Sequence, residues 1–285
     1  MIAQIVTYGL VASAIYALLA IGLTLMIGIA RVMNLAHGTF YMLGAYLIFT
    51  AAVTLKIPLV VAFVFSIAIV VFVAIIIEFV CIRPLKGDLD RMLIITLVVA
   101  LFFEEVILMT YGPQPRAIPA FISGSFLVAG ISVPGQRVLA VAGSLITIVG
   151  LCFFIAKTKT GGAILTVAQD PEAASLMGVN SRAIILLVHG LAAALAALAG
   201  ILVAPFLSSS PNMWLLTLVK AFTIVILGGL GSVIGSILAA GILGFSETIV
   251  AFAISPRITE LVSLVILFLV IVFKPDGLMG NKIKL

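Results

Sequence analysis

Charge is what this sequence has least of. Its 285 residues carry 15 Lys+Arg and 10 Asp+Glu, so charged side chains make up 9% of the chain, where a soluble domain holds roughly a quarter. With 64% hydrophobic residues and a mean hydropathy of +1.44, the chain is excluded from ordinary soluble domains and falls among polytopic membrane proteins. Histidine and cysteine are scarce, at two each. Cys81 and Cys152 lie in apolar runs without metal-ligand spacing, so both read as small packing residues and no metal site is expected. His37 and His189 have no acid or thiol at useful spacing, which leaves no catalytic constellation. The net charge of +5 is small and its bases stand singly, so no nucleic-acid partner is expected. No charged side chain precedes Arg31. A secretory signal opens on a basic stretch, so the first apolar segment reads as a retained span.

What the sequence has in quantity is long apolar runs. Spans are expected near 6–29, 57–82, 91–111, 138–156, 183–206, 236–254 and 258–273, each suited to roughly 30 Å of hydrocarbon. Two more runs, 36–54 and 218–232, are shorter or broken by glycine, and read as full spans or as broken, partly re-entrant helices. The expected fold is all-α, a polytopic membrane bundle of eight or nine transmembrane helices forming one domain over 1–285. Basic residues orient such a bundle. Arg31, Arg83, Lys86, Arg91, Lys157, Lys159, Arg182, Lys274, Lys282 and Lys284 fall on one side; Lys56, Arg116, Arg137, Lys220 and Arg257 fall on the other. The richer side is the cytoplasmic one. The C-terminus is then inside, the N-terminus outside with nine crossings, and the polar loop 157–182 faces the cytoplasm. "YGPQPRAIPAFISG" and "SSSPNMW" face outward.

Within that loop, "DPEAASLMGVNS" is written as a capped helix. Asp170 suits the N-cap, Pro171 the first helical position and Glu172 the first turn. Gly178 stands where a helix ends on a left-handed residue, and Ala173, Ala174, Leu176 and Met177 give it an apolar side. A second stretch, "RVMNLAHGTFYMLGAY", sets Asn34 and His37 beside Gly38 and Thr39 between two apolar runs. Polar groups at membrane depth usually face a protein interior or a water path. The alternative is a cytoplasmic helix-turn-helix capped by Asn34. Asn-Leu-Ala is also similar to the half-helix turns of water and glycerol channels, which need a second copy that this chain lacks. In "LGGLGSVIG", a phosphate loop is ruled out by the missing Lys-Ser/Thr ending. Gly231 and Gly235 form a GxxxG pair there and, with Gly228 and Gly229, mark a close helix approach or a helix joint. Ala192, Ala196 and Gly200 make a similar small stripe. Five acids lie in apolar runs: Glu78, Glu104, Glu105, Glu247 and Glu260. Glu78, five residues before Arg83 near the inner interface, is expected to pair or to snorkel there, and the adjacent Glu104 and Glu105 cannot share one helix face. Such acids leave an ion-coupled carrier as a rival class.

Taken together these motifs resemble a known family. "EAASLMG" is similar to the EAA-x3-G loop of ABC-importer permeases. The whole chain resembles the LivH-type permease of branched-chain amino-acid importers through "GLTLMIGIARVMNLAHGTFYMLGAY", "IEFVCIRPLKG", "TKTGGAILTVAQDPEAASLMGVN", "KAFTIVILGGLGSVIGSILAAGILGFSE" and "FKPDGLMG", in that order. Thr39 stands where the family often has an acid, and "GGAILTV" replaces a stretch that usually carries arginines. The resemblance implies that residues 170–178 form a coupling helix inserted in an ATPase subunit. The chain would carry no cofactor itself, since ATP and Mg would sit on two partner ATPase subunits. It also implies a second permease (a related LivM-type chain or a second copy), an extracellular solute-binding protein and a bacterial inner-membrane location. Sister importers for urea, short amides or other small acids share the signatures.

Overall fold

The computed structural model describes residues 1–85, 87–128 and 130–279. In chain order its helices are α1 (Ile2–Leu25), α2 (His37–Phe49), α3 (Leu59–Ile77), α4 (Leu89–Tyr111), α5 (Gly135–Lys157), α6 (Lys159–Gln169), α7 (Pro171–Leu176), α8 (Ser181–Val203), α9 (Met213–Gly228), α10 (Val233–Ala253) and α11 (Thr259–Phe273). Hydrocarbon offers the backbone no partners, so each apolar run must satisfy its own N–H and C=O groups, which a helix does. π-helical turns prolong α1 through Ala30, α2 through Thr54 and α3 through Ile82. Among the described residues, seven helices are long and apolar enough to cross a membrane. The shorter apolar helix α9 and the short α2 add to these, in keeping with the eight or nine expected.

The chain begins at what we call the near end of the bundle. There Arg137, at the start of α5, lies 4.4 Å over the Tyr8 ring. Gln136 donates to the Leu202 carbonyl at the end of α8, and Tyr8 stacks on Phe252 of α10. The far end gathers α6, α7, the α9–α10 turn and residues 274–279, where Leu278 N donates to Leu227 O at 2.7 Å. α1 and α8 form the centre: Leu18, Ile21 and Leu23 of α1 and Ala192, Ala193 and Ala196 of α8 are fully enclosed. α11 is peripheral, with only Ser263 buried. Its exposed Leu, Ile and Phe side chains suit lipid.

Several expectations need correction. The run placed at 218–232 is a helix over Met213–Gly228, and residues 229–232 form the turn to α10. Between α4 and α5 the chain makes a hairpin, β1 (Ser125–Val128) against β2 (Ile131–Pro134), antiparallel. It is too short and too close to turn residues to register as alternation in the sequence. Lys220, counted above with the near-end bases, is inside α9. Cys81 is half-buried, but Cys152 is exposed on α5 rather than packed inside the chain. Lys86, Lys282 and Lys284, used above for orientation, lie outside the described residues.

Candidate functional site

The far-end segment is built as its sequence suggests. Thr158 caps α6, its Oγ1 accepting from Gly161 N at 2.9 Å, and Ile164 and Val167 press α6 against the bundle. Arg31 reaches across to donate to the Gln169 carbonyl. Asp170 then caps α7, Oδ1 accepting from Glu172 N at 2.9 Å and Ala173 N at 3.0 Å. Those amides, Ala173 first, and the nearby Arg31 charge hold the Asp170 carboxyl below the usual carboxylate range. Gly178 closes the helix at φ +85°, and Val179 N bonds back to Ala174 O. Ser181 donates to the Pro171 carbonyl, which fixes α7 to the start of α8. The apolar side divides in two. Ala174 turns inward and is fully buried, so it is not free to dock, while Leu176 and Met177 are 90% and 80% exposed.

Asn34, His37, Gly38 and Thr39 lie deep in the bundle. After Ala30 the chain folds back, and His37 Nε2 bonds the Leu19 carbonyl. Leu19 is eleven residues before Ala30, which is roughly 16 Å along α1. Leu35 N donates to Thr96 Oγ1 within α4 at the same depth. α2 therefore starts inside the bundle and runs to the near end, where Tyr46 donates to Ser209 O. Asn34 accepts from Ala36 N through Oδ1, a local turn of the kind short polar residues favour. Asn34, His37 and Thr39 are fully buried. Asn34 Nδ2, His37 Nδ1 and Thr39 Oγ1 find no partner among the described residues. Gly38 lets α2 rest on α9, since a Cβ there would lie 3.0 Å from Leu218 Cβ.

The four glycines of "LGGLGSVIG" do not share one helix face. α9 ends at Gly228, Gly229 and Gly231 take φ +102° and +84°, and Ser232 caps α10 by accepting from Gly235 N. Gly231 therefore sits in a turn, and the close pair is Gly228 against Gly235 across that turn. A Cβ on Gly28 would lie 2.6 Å from Gly231 Cα. The π turn of α1 is thus pinned to this joint.

A buried charge network links four helices. Glu247 of α10 accepts at Oε2 from Tyr16 of α1 at 2.5 Å and from Lys220 of α9 at 2.8 Å. Ser263 of α11 donates to its Oε1, and Lys220 also donates to Tyr16 Oη at 2.7 Å. Lys220 and Glu247 expose 18% and 6% of their side chains. A cleft of about 650 Å³ descends to this network from the near end. A separate far-end cavity of about 610 Å³ is lined by Glu78, Arg83, Arg182 and His189. Glu104 accepts from Trp214 Nε1 at 2.7 Å, whereas its neighbour Glu105 is exposed.

Residues 5–272 match the family described as the branched-chain amino acid transport system permease component. The chain belongs to that family. BraD, a high-affinity branched-chain amino acid transport system permease protein of Pseudomonas aeruginosa, is 32% identical over 96% of this chain and 94% of its own length. LivH of Escherichia coli is 31% identical over the same shares. A LivH-type protein of Methanocaldococcus jannaschii is 26% identical over 94% of the chain and 89% of its own length. These relatives are transport permeases, not enzymes, and with seven membrane-length helices the chain is a multi-pass membrane protein. Among solved structures, PsaBC from Streptococcus pneumoniae in complex with Fab superposes with a TM-score of 0.56 at 11% identity, covering 97% of both chains. That likeness concerns the fold alone.

For this branched-chain permease, the sequence alone missed the Lys220–Glu247 pair. The two residues are 27 apart on different helices, and α9 was expected to start only at 218. The usable signal was a lysine within an apolar run that also holds an acid one span later, since unpaired charges are costly at that depth.

Proposed function

We propose that this permease is the transmembrane subunit of a bacterial ABC importer for branched-chain amino acids, forming half of the translocation path. The observation that carries the reading is α7. It is capped and fixed to α8, and it holds exposed Leu176 and Met177 outward on a chain whose sequence has no nucleotide-binding motif. An apolar tip so presented suits a cleft in another protein, and ATP with Mg belongs to two partner ATPase subunits docked there. On this reading Asp170, Pro171, Glu172, Ala173 and Gly178 shape the coupling helix, while Ala174 anchors it. The far end faces the cytoplasm, as Arg31, Arg83, Arg91, Lys157, Lys159, Arg182 and Lys274 favour, so the N-terminus lies outside the inner membrane. A solute-binding protein docks on the near-end loops, and a second permease, related or identical, completes the path. Asn34, His37, Gly38 and Thr39 belong to the moving part of that path, and Gly228, Gly229, Gly231 and Gly235 to its joint.

The test is to purify the tagged chain from its own cells and identify its partners by mass spectrometry. ATP hydrolysis is then measured with the binding protein and leucine. Two ATPase and two permease subunits with leucine-stimulated hydrolysis are expected. A chain that purifies without an ATPase overturns the reading.

A further inference from the structure

The near-end cleft is apolar along its walls and doubly charged at its floor. Val11 and Ile15 of α1, Val203 at the end of α8 and Leu207 beyond it give the walls. Lys220 and Glu247 give the floor, with Tyr16 between them. The volume of about 650 Å³ lies within the range of small-molecule sites, which pair apolar walls with few fixed polar groups. An ion pair in hydrocarbon is costly even when satisfied, and an apolar pair of similar size often serves stability as well. A charge pair kept at the bottom of an open cleft therefore calls for a use beyond bracing. Lys220 spends two of its three ammonium protons on Tyr16 and Glu247, and its side chain retains some exposure. Arg137 stands at the mouth over Tyr8, where a fixed cation draws anionic groups inward.

Opposite charges 2.8 Å apart beneath aliphatic walls match one ligand chemistry: an α-amino acid zwitterion with a branched apolar side chain. Resting on the function proposed above, we propose that this cleft is a recognition site for that zwitterion within the permease. Lys220 receives the carboxylate and Glu247 the ammonium group. The ligand's two charges replace the ion pair's mutual partners, so neither protein charge is left bare when the pair parts. Tyr16 and Ser263 hold the Glu247 carboxylate in place during that exchange. A solute lacking either charge strands one buried group, which makes the site selective against it.

Saturation-transfer NMR on the complete importer in nanodiscs, without its binding protein, tests this with three ligands. They are leucine, isocaproate (no ammonium) and isoamylamine (no carboxylate). Wild type should favour leucine over either analogue by at least about tenfold, a modest part of what a buried polar site achieves against a ligand lacking its partner group. Lys220→Met should erase the preference over isoamylamine alone, and Glu247→Gln the preference over isocaproate alone. The charge-swapped double variant, Lys220→Glu with Glu247→Lys, keeps a pair and so guards against simple misfolding. It should be recovered as the assembled complex, while leucine uptake falls because the reversed charges no longer meet the ligand's carboxylate and ammonium in the order the walls impose. Unchanged preferences in the single variants, or full uptake by the swapped pair, overturn the inference while leaving the importer assignment standing. A wild-type complex that carries no branched-chain amino acid defeats both.

Discussion

At Asp170 and Gly178 the chemistry of single residues sets how α7 is presented. The Asp170 carboxylate satisfies two amides that the first turn leaves open, and Gly178 ends the helix in a left-handed conformation that a β-branched residue resists. Asp170→Ala and Gly178→Val should leave the amount of folded permease near wild type, because both positions are exposed and a lost N-cap costs only about 1 kcal/mol. Substrate-stimulated ATP hydrolysis in the assembled complex should drop severalfold in both. Well-expressed variants with normal stimulation would count against a coupling role. The cap itself was legible from Asp-Pro-Glu followed by Gly, since N-cap chemistry is local. The inward turn of Ala174 was not, because it depends on where α8 begins and on the Ser181 bond to Pro171.

At the scale of elements, two short helices give the bundle its particular form. α2 starts beside Leu19 and α9 starts beside Glu104, so each is entered through a segment that dips into the bundle. The run lengths hinted at re-entrance, but the depth came only from contacts between α1, α2 and α4, which no single-chain pattern records. Buried polar atoms without partners around Asn34 and His37 fit an element that changes partners during the cycle. With Cys81 and Cys152 replaced by alanine, a cysteine at position 34 or 37 should react with an impermeant thiol reagent at different rates in resting and ATP-bound complexes. Alanine at either position should lower transport more than protein yield. Fast, nucleotide-independent labelling from the cytoplasm would return these residues to an ordinary wet turn, a reading their full burial already disfavours. The α9–α10 joint makes a sharper contrast. Gly231→Leu meets both a left-handed backbone and Gly28 at its shoulder, and should reduce assembled complex or transport severalfold. Leu230→Val, at an exposed position next door with no left-handed backbone, should be mild. Equal tolerance would mean that the joint carries no constraint.

Across the whole molecule, α1 and α8 make the buried centre and the candidate functional features sit around it. The capped α7 and the glycine joint are at one end, and the charged cleft opens at the other. Most of the helical count was legible because hydrocarbon imposes length and apolarity on every span. The hairpin and the Lys220–Glu247 pair were not, since both depend on long-range placement. Counting Lys220 with the near-end bases had little effect on the expected orientation, because without it the remaining bases still favour the far end as cytoplasmic. On the function proposed above, that arrangement is one subunit of an ATP-driven importer, a reading that can be separated cleanly from an ion-driven carrier. The decisive measurement is uptake of labelled leucine into proteoliposomes holding the complete complex, with loaded binding protein outside and ATP inside. Uptake should require internal ATP and persist when a protonophore and sodium ionophore collapse all ion gradients. Leucine entry without ATP, abolished by those ionophores, would contradict an ATP-driven permease.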